Sequence, residues 1–527
     1  MSKKSLVLTL IAHKGYTHHS STCDAIQQET ELLFSAISET YLPLLNMFER
    51  LDLDSIPFKI SMVITPTLCA QLSDFGVQER YVSWLDKLIV LGEKQLSLTN
   101  DSNQKEQILF CLERFKKNKK DFTEVYKSDL LSAFRYYAAR GSLELLATTA
   151  TNVFLPHYID MEEAVNAQFE AGLQSHRHFF GVVPDGFWLP SMAYTNGIEK
   201  FIKNYGFSYS ILDTHGILFA NPLPSKGIFS PVKCKNGLAL FPRDFSAENI
   251  ICGENGFIHN PVYRNQNKDW VFEASAEVLE GFLSTDEARV TSGFKFWNNN
   301  HCEDNWYNLS AANEQVKIDA NIFVNEYVKK MQQAQVMLET DNLSLVCAVD
   351  AIVFGQKWFE GISWLEEVIR LIAKNEELKL NFCSKLLKDK NDFQEIEPYL
   401  SANIGTGYGE NTLDTSNSLM LAYTRKACQR MIYLANRFSD DTGLKARALN
   451  LAAKEVLLSQ SMDWSCMLHD KIFADYAESQ FRKNILSFTT VYDSLGSSVI
   501  STEWLTRMEQ EHPLFHWINY HSFSTKK

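Results

Sequence analysis

Polar side chains follow several of the apolar stretches that we predict to be strands. Asp350 ends the apolar run 343–349, and Ser191 follows Trp188–Leu189–Pro190. In parallel α/β sheets the carboxyl ends of the strands meet at one edge, where ligands bind. A carboxyl group after an apolar strand is partly desolvated, which raises its pKa toward that of a useful general acid. Asp350 is therefore a candidate acid, although an aspartate that caps a turn or pairs with an arginine would show the same pattern.

Other polar and aromatic residues near the predicted strand ends could contact a ligand. They are His13, Glu144, Asp213, His215, Asp244, Trp188 and Trp358. A single histidine or tryptophan of this kind is more often a core residue, so each alone is a weak indication. Ser191 lacks the Gly-x-Ser-x-Gly turn that presents the nucleophile in α/β-hydrolases, which argues against a serine triad.

The elements that would position these residues follow an alternating pattern. Over residues 1–395 apolar strands alternate with amphipathic helices, which predicts a parallel sheet covered by helices. Residues 222–304 are rich in Gly, Pro and Asn with weak periodicity, so we predict an irregular insertion above the strand ends. Residues 396–527 contain four predicted helices, 419–438, 444–461, 473–492 and 499–510, and form a C-terminal helical unit.

Composition excludes several classes of partner. The chain of 527 residues carries a net charge of −13 and has no basic block, which argues against nucleic acid. The apolar run that follows Lys3 and Lys4 suits a first strand better than a signal peptide, and no run reaches the roughly 18 residues that a membrane helix needs. The ten cysteines form no Cys-x-x-Cys pair, which predicts reduced thiols in a cytoplasmic protein and no zinc site.

A family resemblance extends over nearly the whole chain. The matching stretches are 31–50, 141–156, 186–194, 212–220, 241–246, 349–365, 448–464 and 476–482. On these stretches the chain resembles glycoside hydrolase family 57, and within it the 1,4-α-glucan branching enzymes. The resemblance implies a distorted (β/α)7 barrel over residues 1–395, a C-terminal all-helical domain over 396–527, an α-glucan or oligosaccharide as ligand, and neither metal nor other cofactor.

The resemblance also implies the roles of individual positions. The family is retaining, so a glutamate attacks the sugar and an aspartate protonates the leaving oxygen, with the two carboxyls roughly 5–5.5 Å apart. Asp350 stands at the position of the acid, but Ser191 stands at the position of the nucleophile. The family residues that remain are Glu144, Trp188, Asp213, His215, Asp244 and Trp464. His13 remains from a motif that has lost a second histidine and a proline.

Further family positions differ in this sequence. Asn152 replaces a histidine, Gln356–Lys357 replaces His-Trp, and Asn403–Ile404–Gly405 replaces Ser-Trp-Gly. A serine without an adjacent base is a poor nucleophile, and loss of a nucleophile lowers the rate by orders of magnitude. We therefore expect a pseudoenzyme that lacks the family's retaining activity and binds α-glucan or regulates a partner.

Two alternatives remain open. The protein could be an active glucan-modifying enzyme in which Asp350 acts as acid and Glu144 or Asp213 as base on a water molecule. Such inversion requires carboxyls roughly 6.5–9.5 Å apart. It could instead be a structural or interaction protein without a glucan site. The sequence leaves the oligomeric state open.

Overall fold

The computed structural model describes residues 4–17, 24–282, 289, 291–300, 305–389, 393–497 and 499–525. Part of the predicted insertion and two of the ten cysteines, Cys23 and Cys302, lie outside these residues. The eight cysteines that are described are all free.

Nine strands occur in the described residues. They are β1 Lys4–Ala12, β2 Ile60–Ile64, β3 Leu143–Thr148, β4 Gly186–Trp188, β5 Tyr209–Leu212, β6 Val232–Lys233, β7 Ala239–Pro242, β8 Ser344–Asp350 and β9 Leu378–Leu380. Seven of them are parallel neighbours in the order β7-β5-β4-β3-β2-β1-β8. A parallel bridge between Arg243 and Val346 joins the end of β7 to β8. The seven strands therefore close into a barrel, which confirms the predicted fold class.

The barrel interior is filled by alternate residues of the strands. Val7 and Ile11 of β1, Val346 and Ala348 of β8, and Trp188 of β4 belong to one buried cluster inside it. Because side chains on one face of a strand recur every second residue, His13 and Asp350 continue these inward rows at the carboxyl end. The strand period thus delivers both residues to the mouth of the barrel.

Eighteen helices in the described residues surround and extend the barrel. They are α1 Asp24–Ala36, α2 Leu42–Leu53, α3 Pro66–Ser73, α4 Phe75–Leu98, α5 Ser102–Lys120, α6 Leu130–Ala139, α7 Glu162–Phe180, α8 Ile198–Asn204, α9 Thr214–Leu218, α10 Phe245–Cys252, α11 Leu309–Leu338, α12 Gly361–Lys374, α13 Cys383–Asp389, α14 Ser418–Arg437, α15 Gly443–Ser459, α16 Met462–Asp470, α17 Ala474–Ser497 and α18 Thr502–Glu511. A π-helical turn, Ile37–Tyr41, joins α1 to α2. None of the helices among the described residues is both long enough and apolar enough to cross a membrane.

The C-terminal helices share a core with one side of the barrel. Apolar residues of α14, α15, α17 and α18 pack in the same cluster as those of α7, β4 and β5. Helix α16 was not among the predicted helices. It begins directly after the bridge between Val153 and Ser461, which attaches this part of the chain to the segment that follows β3.

Two local expectations need correction. The range 222–304 is not irregular throughout, because it contains β6, β7 and α10, and β7 is a strand of the barrel. Asp160 fits the sequence pattern of a helix N-cap, but α7 begins at Glu162 and its N-cap is Met161. Asp160 instead accepts hydrogen bonds from Nη1 and Nη2 of Arg425, at 2.9 and 2.6 Å, and so pairs with α14.

Candidate active site

A cavity of about 300 Å³ opens at the carboxyl ends of the barrel strands. Four of the residues proposed from the sequence line it, namely His13, Trp188, Ser191 and Asp350. Side chains that the sequence did not single out as ligand contacts complete the wall, among them Thr65, Asn152, Glu248, Ile352 and Asn403. We refer to this space as the mouth cavity.

Ser191 lies in the wall of the mouth cavity without a base beside it. Its backbone has φ +50° and ψ +24°, the left-handed conformation, and its carbonyl accepts a hydrogen bond of 2.7 Å from the amide of Asn403. Its Oγ contacts Met462 Sδ at 3.7 Å, and no described histidine or carboxylate is hydrogen-bonded to it. A hydroxyl in this setting has no group to take its proton.

His13 is held by contacts on both ring nitrogens. Nδ1 lies 3.1 Å from Thr65 Oγ1, and Nε2 lies 3.0 Å from Asp463 Oδ1. Asp463 also accepts hydrogen bonds of 2.7 Å from Asn152 Nδ2 and from Ser461 Oγ. Burial alone would raise the pKa of Asp463, but His13 and these hydrogen bonds outweigh it and lower that pKa to about 2. The imidazole is thus oriented by a charged carboxylate from α16.

Asp350 faces the mouth cavity from the end of β8. The surrounding protein desolvates its carboxyl and raises its pKa, and the nearby charge of Glu248 acts in the same direction. The positive charges of Lys357, His13 and Arg243 offset part of this effect. A carboxyl whose protonated form is favoured in this way suits the role of a general acid.

Asp213, Arg243 and Glu248 form a line of charges behind the mouth cavity. Arg243, only 2% exposed, donates from Nη2 to Asp213 Oδ2 at 2.9 Å and from Nη1 to Glu248 Oε2 at 2.5 Å. Asp213 also accepts from the amide of Thr214 at 2.6 Å, as the N-cap of α9. Asp213 is therefore engaged in structural contacts, whereas Glu248 reaches the cavity wall.

Three other candidates lie away from the mouth cavity. Glu144 lies two residues before Leu146 in β3, toward the amino end of the barrel. There its Oε2 accepts a hydrogen bond of 3.1 Å from Ser61 Oγ. Burial raises the pKa of Glu144, and hydrogen bonds from Ser384 and Tyr209 oppose this. Asp244 caps α10 and accepts from Lys330 Nζ at 2.6 Å. His215 Nε2 lies 2.7 Å from the carbonyl oxygen of Gly407.

Two tryptophans proposed as ligand contacts are core residues of the structure. Trp358 is 1% exposed and packs against Tyr263 and Trp364, with ring centroids 5.3 and 5.5 Å away. Trp464 is buried, and its Nε1 donates a hydrogen bond of 2.9 Å to the carbonyl oxygen of Leu458. Neither indole lines the mouth cavity, because each is covered by its own packing partners.

Two family models match the sequence. Residues 11–249 match glycosyl hydrolase family 57, and residues 423–523 match the C-terminal region of 1,4-alpha-glucan branching enzyme. Over residues 11–249 the sequence is thus similar to glycosyl hydrolase family 57. A relative, the 1,4-alpha-glucan branching enzyme TK1436 of Thermococcus kodakarensis, is 24% identical over 473 residues, which are 85% of this chain and 68% of that protein.

Solved structures extend the family 57 likeness to the whole fold. The α-amylase AmyC from Thermotoga maritima superposes with a TM-score of 0.91 at 27% identity, over 99% of both chains. The family 57 branching enzyme from Pyrococcus horikoshii superposes with a TM-score of 0.90 at 23% identity, over 100% of this chain and 98% of that one. The C-terminal helices are therefore part of the shared architecture.

Two residues of the candidate site were missed from the sequence. Asp463 lies within the stretch 448–464, beside Trp464, and its position next to a strand-end histidine follows from the docking of α16. Glu248 lies in α10, four residues after its N-cap Asp244. The sequence signal for Glu248 is its place in the first turn of a helix that follows a barrel strand, a place from which side chains reach the barrel mouth.

No group of three or more His, Cys, Asp and Glu side chains suited to a metal ion occurs among the residues that the structure describes.

Proposed function

We propose that the protein binds α-glucan in the mouth cavity and is a pseudoenzyme for retaining glucan transfer, with Ser191 at the position of the nucleophile. The observation that carries the proposal is the isolation of Ser191 Oγ, whose contact is the thioether of Met462 at 3.7 Å. Retention requires a carboxylate that forms and releases a glycosyl ester. A glycosyl ether on a serine would break down more slowly than a glycosyl ester, because an alkoxide is a poorer leaving group than a carboxylate. Ser191 also has no base that could activate its hydroxyl.

The surroundings of Ser191 support the same proposal. His13 lines the same cavity as Ser191, and its two ring nitrogens already contact Thr65 and Asp463. It would have to leave a charged partner before it could serve Ser191. The structural role of His13 therefore competes with any role in activating the hydroxyl.

The choice of an α-glucan as ligand rests on the aromatic and polar side chains that line the mouth cavity. Trp188 supplies an aromatic surface, while Asp350, Asn152 and Asn403 supply polar groups for sugar hydroxyls. A structure of TK1436 from Thermococcus kodakaraensis holds glucose. We extend the sugar class to this chain as part of the proposal.

Incubation with amylose tests the catalytic half. We expect neither new α-1,6 branches nor new reducing ends above the level of a buffer control. Turnover that Asp350→Ala abolishes would contradict the pseudoenzyme. Ser191→Glu is the companion variant, because it restores the family's carboxylate while the other replaced positions stay as they are.

Retardation in native gels that contain glycogen tests the binding half. We expect slower migration than in gels without polysaccharide, for the native protein and for Ser191→Ala alike. Unchanged migration would overturn glucan binding and favour a structural or interaction protein.

A second candidate function is an inverting glucan hydrolase with Asp350 as acid and Glu248 as base. It is favoured by one observation: Glu248 lines the same cavity as Asp350 and raises its pKa. The bases considered from sequence, Glu144 and Asp213, are bound to other groups outside the cavity wall. This function predicts β-anomeric products from amylose and loss of turnover in Glu248→Gln but not in Ser191→Ala.

We also propose the division into a barrel domain, residues 1–395, and a helical domain, residues 396–527, and a cytoplasmic location. The run of helices α14–α18 supports the division, and the eight described free cysteines support a reducing compartment. Because Asp463 orients His13, the barrel domain expressed alone should bind glycogen more weakly than the full chain.

A further inference from the structure

A second and larger space adjoins the mouth cavity. It has a volume of about 880 Å³ and shares His13 and Ile352 with the mouth cavity. Its walls come from α1, from the π-helical turn 37–41, from α4 and α5, and from residues 258–267, 291–299 and 352–357. We call it the side cavity.

The side cavity is positively charged although the chain is acidic. Four cationic side chains line it, Lys14, Arg264, Lys295 and Lys357. The acidic side chains in the lining are Glu31 and Glu39. In a chain of net charge −13, such a surplus of positive charge creates a local field that attracts anions.

Three of the charges in the wall of the side cavity, Arg264, Lys295 and Glu39, are deeply buried. Arg264 is 3% exposed and donates from Nη2 to Glu39 Oε1 at 2.6 Å. Arg114 approaches the same carboxylate oxygen to 3.8 Å. The two guanidinium groups stack on Phe359, 3.7 and 4.1 Å from its ring centroid. Glu39 is thus the carboxylate that two arginines contact directly.

Lys295 is the buried cation without an anionic partner in this cluster. Its side chain is 6% exposed, and its Nζ donates 2.9 Å to Gln266 Oε1. Among the described residues no carboxylate lies within salt-bridge distance of this ammonium, and Gln266 is the acceptor that the structure shows for it. Burial and the neighbouring Arg264 and Arg114 lower the pKa of Lys295, and the charges of Glu39 and Asp269 offset part of this effect. A buried ammonium of this kind is stabilised by an anion.

The other walls suit a sugar rather than a bare ion. Trp84, Phe115 and Ile258 provide apolar surface, and Gln266, Asn299 and Gln356 provide amide groups. Sugar-sized ligands are held by this combination of apolar walls and a few polar groups. The space is also far larger than the roughly 30 Å³ that one water-sized species occupies.

We propose that the side cavity binds a phosphorylated sugar, with the phosphate on Lys295 and the ring against the apolar wall. A neutral glucan has no charge to place beside Lys295, so this ligand differs from the one proposed for the mouth cavity. The proposal does not depend on glucan binding, because it rests on residues that the mouth cavity does not share.

Titration calorimetry of the full chain tests the proposal with glucose 6-phosphate, glucose and inorganic phosphate as probes. We expect glucose 6-phosphate to bind at least about tenfold more tightly than either of the other two, since a hydrogen bond to a charged group contributes that much. Its affinity should fall as salt rises from 50 to 300 mM, roughly the range over which exposed charges become screened. Equal affinity for glucose would overturn the anion site, and equal affinity for inorganic phosphate would overturn the sugar.

Variants locate the site. Lys295→Met keeps the length of the side chain and should lower the affinity for glucose 6-phosphate by about tenfold or more. The matched control is Lys317→Met on α11, an exposed lysine that pairs with Glu314 and should leave the affinity unchanged. Unchanged affinity in Lys295→Met would refute the proposal.

A second variant, at Lys357, tests the proposal independently in case Lys295→Met does not fold. Lys357 lines the same cavity with an exposed side chain. Lys357→Met should lower the affinity for glucose 6-phosphate several-fold. Unchanged affinity in that variant would also count against the proposal. Glycogen retardation is measured separately, so failure of the side cavity and failure of the proposed function are distinguishable.

Discussion

The imidazole of His13 lies 3.0 Å from the carboxylate of Asp463, although 450 residues separate them in the chain. His13 follows β1, and Asp463 lies in the first turn of α16. This contact brings the C-terminal helices to the mouth of the barrel. The candidate site is therefore assembled from both ends of the sequence, and its integrity depends on how they dock.

Replacement of Asp463 by asparagine should destabilise the protein in a pH-dependent way. The folded-state pKa of about 2 lies below the ordinary 3.8, so the charged carboxylate stabilises the fold above about pH 4. That contribution, about 2 kcal/mol, disappears as the pH falls through 2. We expect the difference in unfolding free energy between native protein and Asp463→Asn to shrink over this interval in urea titrations. The exposed Asp440→Asn is the control, and a pH-independent difference would contradict the prediction.

Replacement of Asp350 by asparagine should stabilise the protein at neutral pH, in contrast to replacement of Asp463. Its folded-state pKa is raised, so the charged form is disfavoured in the folded protein and lowers stability at neutral pH. The Asp350 side chain is exposed, so solvent screens part of this penalty. Asp350→Asn removes what remains of it, and we expect a small rise in Tm at pH 7. At pH 3 the carboxyl is protonated in both states, so the gain should vanish. A lower Tm at pH 7 would show that the carboxylate is stabilised by contacts other than those described.

Neutralising Glu248 should make Asp350 more acidic. The negative charge of Glu248 contributes to the raised pKa of Asp350, so Glu248→Gln should lower that pKa. The measurement is the titration of the Asp350 carboxyl carbon by NMR in both proteins. Glu254→Gln, in the segment after α10, is the matched control. An unchanged titration would mean that Glu248 does not face Asp350 in solution, which would also remove the inverting mechanism.

Gly355 is required where the chain after β8 meets the π-helical turn. It has φ +113°, and a Cβ at this position would lie 1.8 Å from the carbonyl oxygen of Glu39. We expect Gly355→Ala to destabilise the protein by at least about 3 kcal/mol, because backbone strain and a backbone clash add. Gly141→Ala separates the two effects. Gly141 also has a positive φ, +74°, but open space around it, so about 1 kcal/mol is expected from urea denaturation.

Much of the mouth cavity could be predicted from sequence because strand geometry is local. An apolar run that ends in a polar residue places that residue at the carboxyl edge, and the two-residue period decides whether it points inward. His13, Trp188, Ser191 and Asp350 follow this rule and meet in one cavity. Glu144 obeys the same period but lies lower in β3, and depth inside a barrel depends on the stagger between strands.

Trp358 illustrates a different limit of the sequence. It lies close to Asp350 in the chain and has the residue type of a sugar platform, yet Tyr263 and Trp364 enclose it. Whether an aromatic ring faces a ligand or a core depends on which distant segments cover it. The side cavity has the same origin, since its walls join α4 and α5 to residues 258–267 and 291–299, which are distant in the sequence.

The sequence alone determined the barrel, and it placed Asp350 and Ser191 at the ends of predicted strands. These follow from residue types and from periods of a few residues, which local backbone geometry enforces. The tertiary structure decided that Asp463 orients His13, that Glu248 rather than Asp213 reaches the cavity, and that Lys295 is buried without a carboxylate partner among the described residues. Those relationships join residues far apart in the chain, and packing of distant elements, not local pattern, brings their charges together.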